Sequence, residues 1–278
     1  MLRTLPLPDG EEVPVLGQGT WGMGERRDRL EAEVAALRRG VDLGLTLIDT
    51  AEMYGEGGAE KVVAEAVAGC RDSVFLVSKV YPHNASGKGT VAACERSLKR
   101  LRTDRLDLYL LHWRGAHPLA ETVAAFERLR HDGKIRHWGV SNLDREDMEE
   151  LVAVPGGAAC ATNQILYNLS RRGPEWDLLP WCRERRIPVM AYSPVEQGRL
   201  RTTGVLADVG REIGRTPYQV ALAWLLAQPG VLTIPKASRL DHVEANAQAL
   251  DISLSPDQLA EVDREFPPPR AKQSLAML

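Results

Sequence analysis

Short, mostly apolar runs alternate along the chain with longer amphipathic segments. Eight such runs read as buried strands: VPVLGQG, LTLIDT, VFLVSKV, LDLYLLHW, IRHWGVSN, ACATNQILY, IPVMAYSP and GVLTIPK. Between them lie segments such as RLEAEVAALRRGVDLG and TVAACERSLKRLR, with apolar residues three and four apart and charges between. That is the period of a helix with one buried face. TPYQVALAWLLAQPG has the clearest limits, with Thr216 as N-cap, Pro217 at the first helical position and Pro229-Gly230 as the stop. Ahead of the first run, LRTLPLPDGEEV predicts a hairpin turning at Asp9-Gly10.

Eight strand–helix units in 278 residues give about 35 residues each, which suits a (β/α)8 barrel. The predicted fold is therefore α/β, a TIM barrel with an N-terminal β-hairpin and a C-terminal helix and tail. The units do not repeat in sequence, and no Gly/Ser-rich linker or low-complexity stretch divides them. Residues 1–278 are expected to form a single barrel domain. The proline-rich FPPPR at 266–270 follows the last helix and reads as a tail.

Composition narrows the classes. The 44% hydrophobic content supplies a large core, and 35 basic against 38 acidic residues, net −3, form no block of one sign that would track phosphates. No nucleic-acid partner is expected. Nothing approaches the ~20 consecutive apolar residues of a membrane span, and MLRTLPLPDG lacks the apolar region of a secretory signal. A cytoplasmic protein without a membrane partner is expected. Cys70, Cys94, Cys160 and Cys182 are scattered with no Cys-x-x-Cys or Cys/His cluster, so they read as reduced packing residues with no metal site.

GQGTWG at 17–22 matches G-x-G-x-x-G, the opening of a Rossmann dinucleotide site. The context does not fit. MGERRDR intervenes where a helix should open, and Asp49 lies 27 residues beyond Gly22 where about 20 is expected. Eight evenly spaced strands favour a closed barrel instead.

In such barrels the chemistry gathers at the C-terminal ends of the strands. The second strand ends in Asp49 with Tyr54 in its loop, the third in Lys79, and the fourth in His112 and Trp113. Taken singly, each has a structural explanation. Together they solve one problem. A tyrosine hydroxyl, with a reference pKa near 10, needs a nearby cation to stabilise its phenolate; Lys79 is that cation and Asp49 keeps it charged. A neutral His112 imidazole then holds a carbonyl oxygen against the Tyr54 hydroxyl, which donates a proton as charge builds there. The reaction served is addition of hydride to a carbonyl.

With GQGTW, LIDTAEMYG, SKV, LDLYLLHW, GKIRHWGVSN, ATNQILYN, MAYSP and TIPKA in this order, the chain resembles the aldo-keto reductases over nearly its whole length. The resemblance implies that Tyr54 is the general acid/base, that Lys79 and Asp49 tune it, and that His112 orients the carbonyl. It further implies that Ser141, Asn142 and Gln164 hold the nicotinamide carboxamide and that Tyr192 stacks on the ring. The first-strand residues Gly19, Thr20 and Trp21 lie nearby, with Asp49. The loop Ser193, Pro194, Val195, Gln197, Gly198 and Leu200 covers the pyrophosphate. Ile234, Pro235, Lys236, Ala237, Ser238, Arg239, His242 and Asn246 meet the adenosine end, with Lys236 on the 2′-phosphate. Many family members have serine and arginine where this chain has Ala237 and His242, so NADPH is expected and NADH remains possible.

The implied substrate pocket is walled by Trp21 and Trp113, with Tyr54 and His112 at its base. The short loop RGAHP and a chain that ends soon after its last helix predict a shallow, open site for small aldehydes. Arg114 beside it would favour a carboxylated substrate or simply stay solvated. The pattern is most similar to the bacterial subgroup that reduces methylglyoxal and other 2-oxoaldehydes, and a monomer is expected. Two alternatives stand beside this reading: a Schiff-base lyase using Lys79 as nucleophile, and a cofactor-binding regulatory subunit resembling potassium-channel β subunits.

Overall fold

The computed structural model describes residues 3–278. Strands β1 (Thr4–Pro6) and β2 (Glu12–Pro14) pair antiparallel, and Gly10 turns between them at φ 94°. The hairpin read from the sequence is therefore present. Each of the eight apolar runs contributes a strand to one parallel sheet, ordered as in sequence: β3 (Gln18–Gly19), β4 (Leu47–Asp49), β5 (Phe75–Val80), β6 (Leu106–Leu111), β7 (Ile135–Ser141), β8 (Asn163–Leu166), β9 (Val189–Tyr192) and β10 (Val231–Thr233). The sheet closes on itself. Leu16 bridges Thr233 and Gly19 bridges Lys236, with Gly17 N donating to Thr233 O at 2.8 Å and Thr233 N to Val15 O at 2.9 Å.

This closure explains the misleading glycines. A Cβ on Gly17 would meet the Leu47 side chain at 2.5 Å, and one on Gly19 would meet Ile234 O at 2.7 Å. They let the first strand approach its neighbours, and no helix opens at Gly22; a single turn at Arg27–Arg29 comes first and the long helix begins only at Leu30.

The helices are α1 (Leu30–Asp42), α2 (Gly58–Ala66), α3 (Gly87–Leu101), α4 (Leu119–His131), α5 (Arg145–Ala153), α6 (Leu178–Glu184), α7 (Val205–Ile213), α8 (Pro217–Leu226), α9 (Leu240–Gln248) and α10 (Pro256–Glu265). Two of them, α7 and α10, fall outside the simple alternation and pack on one another. Helix α8 starts as the sequence predicts. Gln219 N donates to Thr216 Oγ1, and Thr216 N donates back to Gln219 Oε1. It ends at Leu226, ahead of the Pro229-Gly230 expected as its stop.

Alternation along the strands sorts the core into two clusters. Leu47, Val77, Leu108, Leu110, Met190 and Leu232 pack together inside the barrel, while Ile48, Leu76, Tyr109, Val140, Ile165 and Ala191 meet the helices. Following the same parity to the C-terminal ends of the strands brings Asp49, Lys79, His112, Ser141, Gln164 and Tyr192 to the inner side. Period two alone thus converges six polar side chains on one rim.

Candidate active site

Lys79 lies at the centre of that rim and is fully buried. An ammonium has three protons to give, and Nζ has three oxygen neighbours: Asp49 Oδ2 at 2.8 Å, Thr50 O at 2.8 Å and Tyr54 OH at 3.1 Å. Because Lys79 donates to the phenolic oxygen, the tyrosine's own proton is left for another acceptor. The other Asp49 oxygen accepts from Gln164 Nε2 at 2.8 Å. Burial pulls both charges of this pair toward neutrality, Asp49 up and Lys79 down, and each is opposed by its partner.

Burial, and after it the Asp49 charge, pushes the Tyr54 hydroxyl well above its ordinary value. The phenol is therefore protonated at neutral pH, with the Lys79 cation 3.1 Å from its oxygen. His112 is pushed the other way, first by burial and then by the Lys79 charge, well below the usual histidine range. Its ring is therefore neutral at pH 7. Nδ1 is buried without a partner among the described residues, and a bare lone pair is less costly to leave there than an N–H. That tautomer puts the proton on Nε2, the nitrogen left to face the cavity.

The four aromatic groups expected in the pocket are brought together. Trp21 meets Tyr54 edge-on with centroids 5.0 Å apart, Tyr54 meets His112 at 5.7 Å, and His112 lies 4.8 Å from Trp113. They wall one end of a groove of about 840 Å3. Gly19, Thr20, Asn142, Gln164 and Tyr192 continue it, followed by the loop from Ser193 to Gly198 and then Ile234, Pro235, Lys236, His242 and Asn246. Tyr192 OH donates to Asn142 Oδ1 at 2.9 Å, and Asn142 Nδ2 donates to Ser141 Oγ and to His112 O.

Several expected residues stand off the groove. Leu200 is buried in the outer core, and Ser141 lies behind Asn142. Ala237 packs on the inner core, Ser238 accepts from Lys236 at 3.4 Å, and Arg239 is tied to Asp241. Arg114, read as a candidate for a carboxylated substrate, instead binds Asp147 and both oxygens of Glu150. Among the described residues Lys236 has no carboxylate partner, so its charge is available to an anion.

The groove also has walls that sequence reading missed. Tyr218, in the first turn of α8, donates to Gly198 O at 3.0 Å and clasps the 193–198 loop. Met277 and Leu278 line the cavity as well, so the site is more covered than the shallow slot expected. The apolar SLAML after a polar stretch was the available signal. Ser193, Glu196, Gln197 and Gly198 all have left-handed φ, a shape held by buried Glu196 bonding Asn168 and Arg171. A ring at one end, a fixed loop in the middle and an uncompensated cation at the other suit a nicotinamide dinucleotide carrying a terminal phosphate.

Comparison with known proteins agrees with this geometry. The model of the aldo/keto reductase family matches residues 15–265. A methylglyoxal reductase of Escherichia coli (strain K12), YeaE, is 55% identical over 271 residues, covering 96% of this chain and 95% of the relative. A glyoxal reductase of Bacillus subtilis (strain 168) is 34% identical over 94% of this chain and 91% of its own. Among solved structures, an aldo/keto reductase from Klebsiella pneumoniae in complex with NADP and acetate superposes with a TM-score of 0.97 at 53% identity, covering both chains completely.

Proposed function

The chain belongs to the aldo/keto reductase family, and from that premise we propose that it is an NADPH-dependent oxidoreductase that reduces small aldehydes and 2-oxoaldehydes such as methylglyoxal to alcohols. One observation carries the mechanism: Lys79 spends one of its three hydrogen bonds on the Tyr54 oxygen, leaving the phenolic proton free for a substrate.

Lys236 meets the 2′-phosphate, Tyr192 covers the nicotinamide ring, and Asn142 and Gln164 hold its carboxamide. When bound, the cofactor supplies the hydride. His112, neutral and protonated on Nε2, donates a hydrogen bond to the substrate carbonyl oxygen and fixes it beside Tyr54. Tyr54 delivers its proton to that oxygen as negative charge accumulates, and Lys79 stabilises the phenolate left behind. Asp49 keeps the lysine cationic. Trp21 and Trp113 exclude water and favour compact, uncharged substrates. Arg114 takes no part because two carboxylates hold it.

The Schiff-base alternative fits the same geometry poorly, since a nucleophilic lysine needs a free lone pair and this one donates in three directions. NADPH is the preferred cofactor and NADH the weaker one. The reading also makes the protein a single-domain monomer of the cytoplasm without a nucleic-acid partner. The barrel's first and last strands interlock, the four cysteines are unpaired, charge is mixed, and no helix among the described residues is long and apolar enough to cross a membrane. NADPH and NADH oxidation with methylglyoxal, and with a bulky cyclic ketone beside it, tests the assignment. Rapid turnover only with NADPH and the small aldehyde agrees with it, and preference for the ketone overturns the substrate class.

A further inference from the structure

The Tyr54 hydroxyl and Lys79 Nζ come from different elements, and a ring of contacts outside the barrel joins them. Beyond Tyr54, Gly55, Glu56 and Gly57 all have left-handed φ, at 55, 52 and 82°. For a glutamate that region is strained, so the turn keeps its shape only where neighbours hold it. One neighbour is Arg100 of α3. A Cβ on Gly57 would come within 2.5 Å of Arg100 Cδ and 2.6 Å of its Nε; the side chain therefore lies against the turn where only glycine leaves room.

Arg100 Nε donates to Glu60 Oε2, and its Nη2 donates to Ser97 Oγ at 3.1 Å. Glu60, in the first turn of α2, is fully buried, and its Oε1 accepts from Ser78 Oγ at 2.7 Å. Ser78 points out of the barrel toward the helices, and the next residue, Lys79, points in. The path returns from Lys79 Nζ to Tyr54 OH. None of Gly57, Glu60, Ser78 or Arg100 lines the cavity. The Glu60 carboxylate also favours the charged form of Lys79, adding to Asp49.

We infer that Arg100 and Glu60 are positioning residues: they clamp the turn carrying Tyr54 to the strand carrying Lys79 and so set the separation of proton donor and cation. This rests on Tyr54 donating the proton. The experiment compares wild type, Arg100→Met, Arg100→Lys and Tyr54→Phe by thermal melting, NADPH affinity from fluorescence titration, substrate KM, and the single-turnover rate of methylglyoxal reduction. Arg100→Met is expected to melt cooperatively, to bind NADPH and to keep KM within about threefold, while its single-turnover rate falls about ten- to a hundredfold, as small misplacements of reacting groups do. Arg100→Lys, which still reaches Glu60 with a cation, should recover most of that rate. A folded Arg100→Met with an undiminished rate overturns the clamp, as does a loss confined to KM or NADPH affinity, or one that lysine does not rescue. If Arg100→Met does not fold, Glu60→Gln decides by the same split between rate and KM. Failure of the parent reading looks different, because Tyr54→Phe would then reduce the aldehyde at the wild-type rate whatever Arg100 does.

Discussion

Lys79 is a charge in a place where charges are costly, and Asp49 is what makes it tolerable. Replacing Asp49 by Asn keeps the shape but removes the buried ammonium's ion-pair partner, a change that typically costs about 3–5 kcal/mol. Chemical denaturation should show that loss, together with a fall in reduction rate as the lysine gives up its proton. His112 makes a different prediction. Its folded-state pKa is depressed well below the ordinary 6.5, so below about pH 6.5 the unfolded chain takes up a proton that the folded one refuses. Stability therefore falls as pH drops through that point and does not change on this account above it, with a slope of at most about 1.4 kcal/mol per pH unit. Denaturation at pH 5 to 8 should show His112→Gln with a flatter acid limb than wild type. Asp49, Lys79 and His112 were legible in sequence because the strand-end rule selects them, and Tyr54 because it lies in the loop that follows Asp49. Arg100 and Glu60 were not, since nothing local distinguishes them from charges on amphipathic helices, and only the fold brings them to the Tyr54 turn.

At the scale of elements, the strands were the most readable parts, because each apolar run is short and helices separate them. Helix α7 went unread. Its GVLADVGREI is a brief segment behind the loop at 193–200, and it packs on both the adjacent α8 and α10, the latter far along the chain. The clasp between α8 and that loop was equally hidden, because a hydrogen bond from Tyr218 to a backbone carbonyl has no sequence signature. It has a measurable role. Tyr218→Phe removes one hydrogen bond with a net value of about 0.5–1.5 kcal/mol, so NADPH should dissociate about two- to tenfold faster in stopped-flow fluorescence, while the Tyr54-dependent chemical step is unchanged. An unchanged dissociation rate would mean that the left-handed residues of the loop hold it without help.

For the whole molecule, one groove spans strands from both ends of the barrel, so occupying it ties the closure at β3 and β10 to the loops over the rim. A ligand that binds only the folded state at a hundred times its Kd adds about 2.7 kcal/mol, and NADPH should raise the melting temperature more than NADH at equal concentration. Lys236→Ala should erase most of that difference, because the cation distinguishes the cofactors only through the 2′-phosphate. The most direct test of the account is the single-turnover reduction of methylglyoxal by NADPH-loaded wild type and Tyr54→Phe. The phenylalanine variant should bind NADPH as wild type does and lose about two to four powers of ten in rate, the usual contribution of a positioned acid. Equal rates in the two proteins, with NADPH bound in both, would contradict the account.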